Sequence, residues 1–176
     1  MKKTITLALT LCMAALFAPA FAQSYQKSDN LLNVGVGLGA YTAGGIPIGV
    51  SFEKGITEQI SVGGFADFAR YGYSSGGYKW NYTFIYAGAR GSYHLGELLS
   101  LANDKLDPYA GVSLGFRHAS YSDNTGYSGE YYNPYNSGLF LGIHVGGRYQ
   151  FSDKLGVFAE AGYGVSALKL GLTAKF

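Results

Sequence analysis

The sequence is poor in cysteine, in net charge and in long apolar runs. Its one cysteine, Cys12, lies in an N-terminal segment that we expect to be removed, which leaves the mature chain without a thiol for a disulfide framework. A lipoprotein anchor at Cys12 is disfavoured because the apolar run continues past it. The chain also lacks the basic excess that would favour nucleic acid as a partner. Beyond the N-terminus, no stretch is long and apolar enough to cross a bilayer as a helix.

The first 22 residues have the pattern of a secretory signal peptide. Two lysines after the initial methionine precede an apolar run that ends at Phe17, and Ala20 and Ala22 supply the small residues that flank a cleavage site. We therefore expect residues 1–22 to be a signal peptide and residues 23–176 to form one domain. Loss of the two lysines leaves 11 basic residues, which balance the 11 acidic ones.

Apolar and polar positions alternate along the mature chain, and this period of two favours β-strands. In the clearest run, Leu141, Ile143 and Val145 share one face, while His144 and Arg148 lie on the other. Comparable runs cover 32–40, 46–53, 60–70, 80–95, 109–117, 139–151, 155–165 and 168–176. The sequence therefore predicts eight strands.

A soluble β-sandwich would also alternate, but two features favour a transmembrane barrel. The apolar face stays apolar nearly to both strand ends, whereas the other face carries charges and many glycines. The connections 54–59 and 152–154 are compact, while 71–79 and 119–137 are longer and rich in Tyr, Ser, Gly and Asn. Short periplasmic turns and long external loops have this pattern. The segment 96–107 is an exception, since by strand parity it is periplasmic yet moderately long.

The end of the chain resembles the signal read by the outer-membrane barrel assembly machinery, with Leu170, Leu172 and Phe176 alternating on one face. As a whole, the mature chain resembles the small outer-membrane β-barrels of the OmpA/OmpX type. The resemblance is architectural and implies an all-β, eight-stranded, antiparallel, up-and-down transmembrane barrel. It implies a location in the cell outer membrane among lipid and lipopolysaccharide, with both termini in the periplasm. It does not imply a function.

The interior of an eight-stranded barrel is just wide enough for side chains to fill. The inward positions carry charges of both signs: Glu53, Asp67, Arg90, Arg117, Arg148, Glu160 and Lys169. Because buried charges are costly without partners, we expect an ion-pair network in the lumen. Adjacent-strand geometry also predicts a contact between Glu160 and Arg148. A small channel or a transporter of hydrophobic molecules is the alternative.

Aromatic residues concentrate in the predicted external loops. They are Tyr73, Tyr78, Trp80, Tyr121, Tyr127, Tyr131, Tyr132 and Tyr135. Tyrosine among Ser, Gly and Asn is the composition of binding loops, which favours a structural or surface-interaction role and a surface protein as partner. The alternative is an aromatic girdle at the outer membrane interface.

Catalysis and metal binding have little support in the sequence. The three histidines, His94, His118 and His144, fall on different strands and heights, so we expect no metal site and no cofactor. Some small outer-membrane barrels modify lipid A, which requires a nucleophile and a base close together. His118 with Ser120 and Asp123 is the nearest approach to such a set, but these residues share a loop and need not converge. We therefore expect a non-enzymatic barrel.

Overall fold

The structure is a computed structural model that describes residues 24–42, 44–101, 103–123 and 136–176, except for the side chain of Tyr78. Its strands, numbered along the chain, are β1 Asn30–Ala40, β2 Ile48–Gly55, β3 Ile60–Ser75, β4 Tyr78–His94, β5 Leu106–Asp123, β6 Gly138–Gln150, β7 Leu155–Tyr163 and β8 Ser166–Lys175. Each strand pairs with the next, β8 pairs with β1, and all pairs are antiparallel. The predicted closed eight-stranded barrel is therefore confirmed.

The outer wall of the barrel is apolar. Leu139, Leu141 and Leu172 are 87%, 65% and 64% exposed, and large apolar side chains at alternate positions of the other strands are exposed in the same way. Contiguous apolar surface on this scale is unfavourable in water and suits the hydrocarbon of a bilayer. Among the described residues, no helix is long and apolar enough to cross a membrane.

The seam between β1 and β8 closes the barrel. Its register runs from Leu31 opposite Lys175 to Ala40 opposite Ser166. Beyond the last strand pair, the Asn30 and Phe176 backbones exchange two hydrogen bonds of 2.9 and 3.0 Å. Leu170, Leu172 and Phe176 face outward on the β8 side of this seam. The centre of the Phe176 ring lies 6.4 Å from that of the Phe52 ring on β2. The role of Leu170, Leu172 and Phe176 in assembly stays a prediction.

The two ends of the barrel differ. At the turn end, which holds the connections after β2, β4 and β6 and both chain termini, the turns are compact. The longest of them, after β4, is folded by hydrogen-bonded turns, with the Leu99 N–H donating to the Leu95 carbonyl at 2.9 Å. The loop end holds the connections after β1, β3, β5 and β7. Strands β3, β4 and β5 are longest, and they extend towards this loop end.

The predicted long loop over 71–79 is a continuous hairpin instead. β3 continues to Ser75, β4 begins at Tyr78, and the turn consists of Gly76 and Gly77 alone. Both glycines have positive φ angles, +57° and +86°, which the tight turn of a hairpin requires. The tyrosines that suggested a loop are also good strand formers, and here they form strands.

The lumen is filled by two layers of different chemistry. Towards the loop end, Phe65, Ala69, Phe84, Tyr86 and Phe140 form an apolar cluster. Towards the turn end, the buried side chains are charged or polar. The cores of soluble barrels are apolar throughout, so the polar layer is the part of the lumen that requires an explanation.

Candidate functional site

Arg148 on β6 lies at the centre of the polar layer and is fully buried. Its Nη1 contacts Asp107 Oδ2 at 3.0 Å, its Nη2 contacts Glu53 Oε1 at 3.3 Å, and its Nε donates to Asn33 Oδ1 at 3.2 Å. The guanidinium also lies 3.9 Å from the centre of the Tyr109 ring. One side chain thus binds β1, β2 and β5 together, and its charge is compensated although it is removed from water.

Arg90 on β4 is the second cation of this layer. Its Nη2 lies 2.7 Å from Glu160 Oε1, and its Nε lies 3.0 Å from Glu53 Oε1. The same Nη2 is 2.9 Å from His144 Nε2. Because arginine can only donate, His144 accepts through that nitrogen. Glu53 therefore lies between the two guanidinium groups and joins them into one network.

The structure does not place Glu160 against Arg148, and within the described residues no ion pair joins them. Glu160 instead contacts Arg90 and accepts a 2.9 Å hydrogen bond from the Tyr109 hydroxyl. The prediction considered only neighbouring strands. In a lumen this narrow, long side chains reach across to strands that are not adjacent, and β4 supplies the partner of a residue on β7.

Two further predicted lumen charges form a separate pair, Lys169 with Asp67.

Arg117 is not part of this charge network. It faces inward as predicted, but it lies nearer the loop end, and its Nη2 and Nε donate to the Asn136 carbonyl at 2.7 and 3.2 Å. The apolar cluster occupies the lumen at that height and provides no carboxylate, so a backbone oxygen is the acceptor.

The polar layer also contains a hydrogen-bonded series that sequence reasoning missed. His94 Nδ1 lies 2.7 Å from Asp107 Oδ1, and His94 Nε2 lies 2.9 Å from Ser61 Oγ. Ser61 in turn donates to Glu53 Oε2 at 2.9 Å. The predicted connection 96–107 includes Asp107. Asp107 lies two residues before the inward-facing Tyr109, and this strand alternation would have placed its side chain in the lumen. These spacings resemble those of a serine triad, but all the participating side chains are buried and the Ser61 hydroxyl binds a carboxylate.

Tyr25, which precedes β1, caps the polar layer at the turn end. Only 2% of it is exposed, and its ring lies parallel to that of His94 with 3.4 Å between ring centres. Its one hydroxyl hydrogen is shared between the Thr57 and Ile60 carbonyls, which lie 2.9 and 2.7 Å away. Burial raises the pKa of the Tyr25 phenol, so the phenol remains a donor at neutral pH. The cap therefore closes one end of the lumen.

Replacing Tyr25 by phenylalanine should lower the free energy of unfolding by about 1 kcal/mol, because the Thr57 carbonyl loses the hydroxyl as its donor, while the Ile60 carbonyl keeps backbone donors. The stacked ring is retained, so the barrel should still fold. Urea titration of the protein in phospholipid vesicles measures the change. Tyr93→Phe, on the outer wall, is the matched control and should behave as the original protein. Equal stability of the two variants would contradict the role of the Tyr25 hydroxyl.

A cavity of about 50 Å³ separates the polar layer from the apolar cluster. Asp67, Arg90, Glu160 and Lys169 are among the side chains that line it. It has room for water molecules but not for a larger solute. Within the described part of the chain, no group of three or more His, Cys, Asp or Glu side chains is placed to hold a metal ion.

The loop-end hairpin of β3 and β4 presents an aromatic face on the side that continues the inner wall. Trp80 lies at its centre, with ring centres 5.6 Å from Tyr71, 6.2 Å from Tyr73 and 5.6 Å from Tyr82. Tyr121 on β5 extends this face, 5.0 Å from Tyr82. The structure therefore brings together three residues that the sequence singled out, Tyr73, Trp80 and Tyr121. Outside the described residues lie the predicted signal peptide 1–22 and Tyr127, Tyr131, Tyr132 and Tyr135.

Comparisons with known proteins identify the fold. No family model and no curated protein matches the chain. Among solved structures, OprG from Pseudomonas aeruginosa matches with a TM-score of 0.59 and 10% identity, over 88% of this chain and 99% of OprG. The N-terminal β-barrel domain of P. aeruginosa OprF matches with a TM-score of 0.54 and 13% identity, over 85% and 98%.

A third match is Ail, the attachment invasion locus protein of Yersinia pestis, in complex with the heparin analogue sucrose octasulfate. Its TM-score is 0.51, with 12% identity over 85% of this chain and 96% of Ail. These identities establish likeness of fold and no more. The closed barrel, its apolar outer wall and these matches together make the chain similar in fold to the small eight-stranded outer-membrane β-barrels.

Proposed function

We propose that this protein is a non-conducting, non-enzymatic outer-membrane barrel that holds an aromatic interaction surface outside the cell. In this arrangement the turn end, with both termini, lies in the periplasm, and the loop end faces outward. The apolar outer wall supports the membrane location, since its exposed large side chains would be unfavourable in water.

The filling of the lumen by buried side chains is the observation that supports the proposal. Arg148 and Glu53 are fully buried at its centre, Tyr25 caps the turn end, and Phe65 and Phe140 occupy the loop half. A conducting pore requires a water-filled path through these layers. Each carboxylate of the polar layer contacts a guanidinium, so this layer is better explained as a filling that fixes the barrel wall than as a selectivity device.

The aromatic face of the hairpin supports a role at the surface. Tyr73 is 54% exposed, and its neighbour Trp80 belongs to a residue type enriched at the centres of binding sites. The paired strands hold these rings in place, so little conformational entropy would be lost on binding. A surface protein is the partner that such a face suits. In this arrangement, lipid and lipopolysaccharide surround the barrel wall below the hairpin.

Conductance measurements test the sealed lumen. The purified protein, folded into planar bilayers, should give no steady openings, because the two layers of side chains fill the lumen. The double variant Arg90→Ser with Arg148→Ser removes both central cations but leaves Tyr25 and the apolar cluster in the lumen, so it should also give no steady openings. Leu141→Ala, on the outer wall, is the matched control and should be silent.

Steady openings of the unmodified protein would overturn the non-conducting assignment and favour the channel alternative. Lipid A mass spectra of cells that overexpress the protein test the remaining alternative. They should be unchanged, since Ser61 is buried and hydrogen-bonded to a carboxylate. A new lipid A mass that is lost in Ser61→Ala would instead make the Ser61 series catalytic.

A further inference from the structure

His94, the last residue of β4, makes a contact through each of its two ring nitrogens. Nδ1 lies 2.7 Å from Asp107 Oδ1, and Nε2 lies 2.9 Å from Ser61 Oγ. Only 2% of the residue is exposed, so both contacts lie away from water. The hydrogens in these contacts decide the charge of the ring, because neutral imidazole has one N–H group and imidazolium has two.

Both contacts require a hydrogen on the ring nitrogen. An ionised carboxylate only accepts, so Asp107 Oδ1 receives a hydrogen from Nδ1. Ser61 has one hydroxyl hydrogen, which it donates to Glu53 Oε2 at 2.9 Å. The Ser61 oxygen is therefore an acceptor towards His94, and Nε2 donates to it. In either neutral form of the ring, one nitrogen lone pair would face an oxygen lone pair with no hydrogen between them.

The charges of the network support the same assignment. The network consists of two guanidinium groups and the three carboxylates that contact them: Arg90, Arg148, Glu53, Asp107 and Glu160. Within the part of the chain that the structure describes, it therefore has one more negative charge than its arginines compensate. The neighbouring pair of Lys169 and Asp67 is neutral in itself. A buried charge without a partner is costly, and a proton on His94 supplies the missing positive charge.

Every element packed against His94 presents a titratable or charged group to it. These groups are Tyr25 from the segment before β1, Asp107 and Tyr109 from β5, Glu53 from β2 through Ser61 on β3, and Arg148 from β6 through Asp107. Near neutral pH, phenols and guanidinium groups are protonated and carboxylates are ionised. Burial raises the pKa of the Tyr25 phenol further above this range. Within this set, the imidazole is the group whose charge can change near neutral pH.

The ring of Tyr25 links the charge of His94 to the cap at the turn end. The two rings are parallel to within 2°, and their centres lie 3.4 Å apart. The face of an aromatic ring attracts a cation, so an imidazolium is held there more strongly than a neutral imidazole. A charged His94 therefore holds the segment that carries Tyr25 against the end of the lumen.

We propose that His94 binds a proton as the third cation of the lumen network, and that this proton keeps the Tyr25 cap closed. Loss of the proton at alkaline pH leaves Asp107 with an unbalanced charge and weakens the attraction between the two stacked rings. The cap then loosens. This proton site is independent of the surface role proposed above and of the direction in which the turn end faces.

Nitrogen-15 NMR of the full chain in phospholipid bilayers, labelled at its three histidines, tests the charge of His94 without any substitution. The pH is set to about 7.5, one unit above the ordinary pKa of histidine, so that an imidazole in water is mostly neutral. His94 should nevertheless have two protonated ring nitrogens. His144 is the buried reference, because its Nε2 accepts from Arg90 and should carry no hydrogen. His118 is the exposed reference. A neutral His94 would overturn the proposal.

A pair of substitutions separates the charge of His94 from its packing. His94→Gln retains polar atoms but cannot carry the charge, so it should lower the urea midpoint of unfolding in phospholipid vesicles. Asp107→Asn in the same chain removes one negative charge from the network and should restore part of that loss. In the matched control, His144→Gln, the added Asp107→Asn should lower the midpoint further. A further fall in the His94→Gln chain as well would overturn the charge balance.

Hydrogen–deuterium exchange of the backbone amides in residues 24–29 reports the state of the cap. After correction for the intrinsic effect of pH on exchange, these amides should exchange faster at about pH 9 than at about pH 6. In His94→Gln they should exchange rapidly at both pH values. Equal protection of the original protein at both pH values would overturn the role of the proton in the cap. A pH dependence that persists in His94→Gln would assign the titration to another group and would also overturn it.

Discussion

Replacing Arg148 by alanine should lower the free energy of unfolding by about 3–5 kcal/mol, because a buried charge cluster loses its central cation. In this variant, Asp107 keeps His94 as a partner. Glu53 loses one of its two guanidinium partners and keeps the other, Arg90. Arg148→Lys should fall between the original protein and the alanine variant, since an ammonium cannot reproduce the planar fork that contacts acceptors on three strands.

Urea titration in phospholipid vesicles, followed by the gel mobility of the compact folded form, measures this change. Arg117→Ala is the matched control, because Arg117 is an inward arginine near the loop end whose guanidinium donates to the Asn136 backbone carbonyl and lies outside the charge cluster. Its loss should cost about 1 kcal/mol or less. Equal destabilisation by the two substitutions would show that the polar layer is not what holds the barrel wall together.

Replacing Gly171 by valine should prevent closure of the barrel. Gly171 on β8 faces Gly35 on β1 across the closing seam. A Cβ atom at Gly171 would lie 2.1 Å from the Val34 carbonyl oxygen, 2.5 Å from Gly35 Cα and 2.7 Å from the Phe158 ring. Two of these three atoms belong to the backbone of the partner strand, so no side-chain rotation can provide the space.

Refolding into detergent or vesicles, assayed by heat-modifiable gel mobility, should therefore give almost none of the compact form for Gly171→Val. Gly147→Val is the matched control. That glycine faces outward on β6, and the nearest atom to an added Cβ is 4.0 Å away, so the variant should fold as the original protein does. Normal folding of Gly171→Val would mean that the seam is not packed as the structure has it.

The apolar wall and the inward charges were predictable from the sequence because strand periodicity is local. Successive side chains point to opposite faces, so one alternating run assigns every residue in it to a face. Glu53, Arg90, Arg148 and Glu160 were placed inside the barrel on that basis alone, and all four are buried in the lumen. Strand number followed from the same runs.

Partners within the lumen were not predictable in the same way. Glu160 on β7 meets Arg90 on β4, and the height at which they meet depends on the stagger of every strand around the barrel. Tyr25 belongs to no alternating run, so no periodic pattern indicates that its ring covers His94. The hairpin was also missed, because composition alone does not separate a tyrosine-rich loop from a tyrosine-rich strand.

By itself, the sequence determined that the chain forms eight strands with an apolar outer wall and a charged, glycine-rich interior, because alternation is a property of neighbouring residues. Only the tertiary structure decided which side chains meet inside the lumen. Closure of β8 on β1 brings charges from five strands to one level and places Tyr25 over them. These contacts join residues far apart in the chain, and their geometry follows from the closed sheet rather than from any single strand.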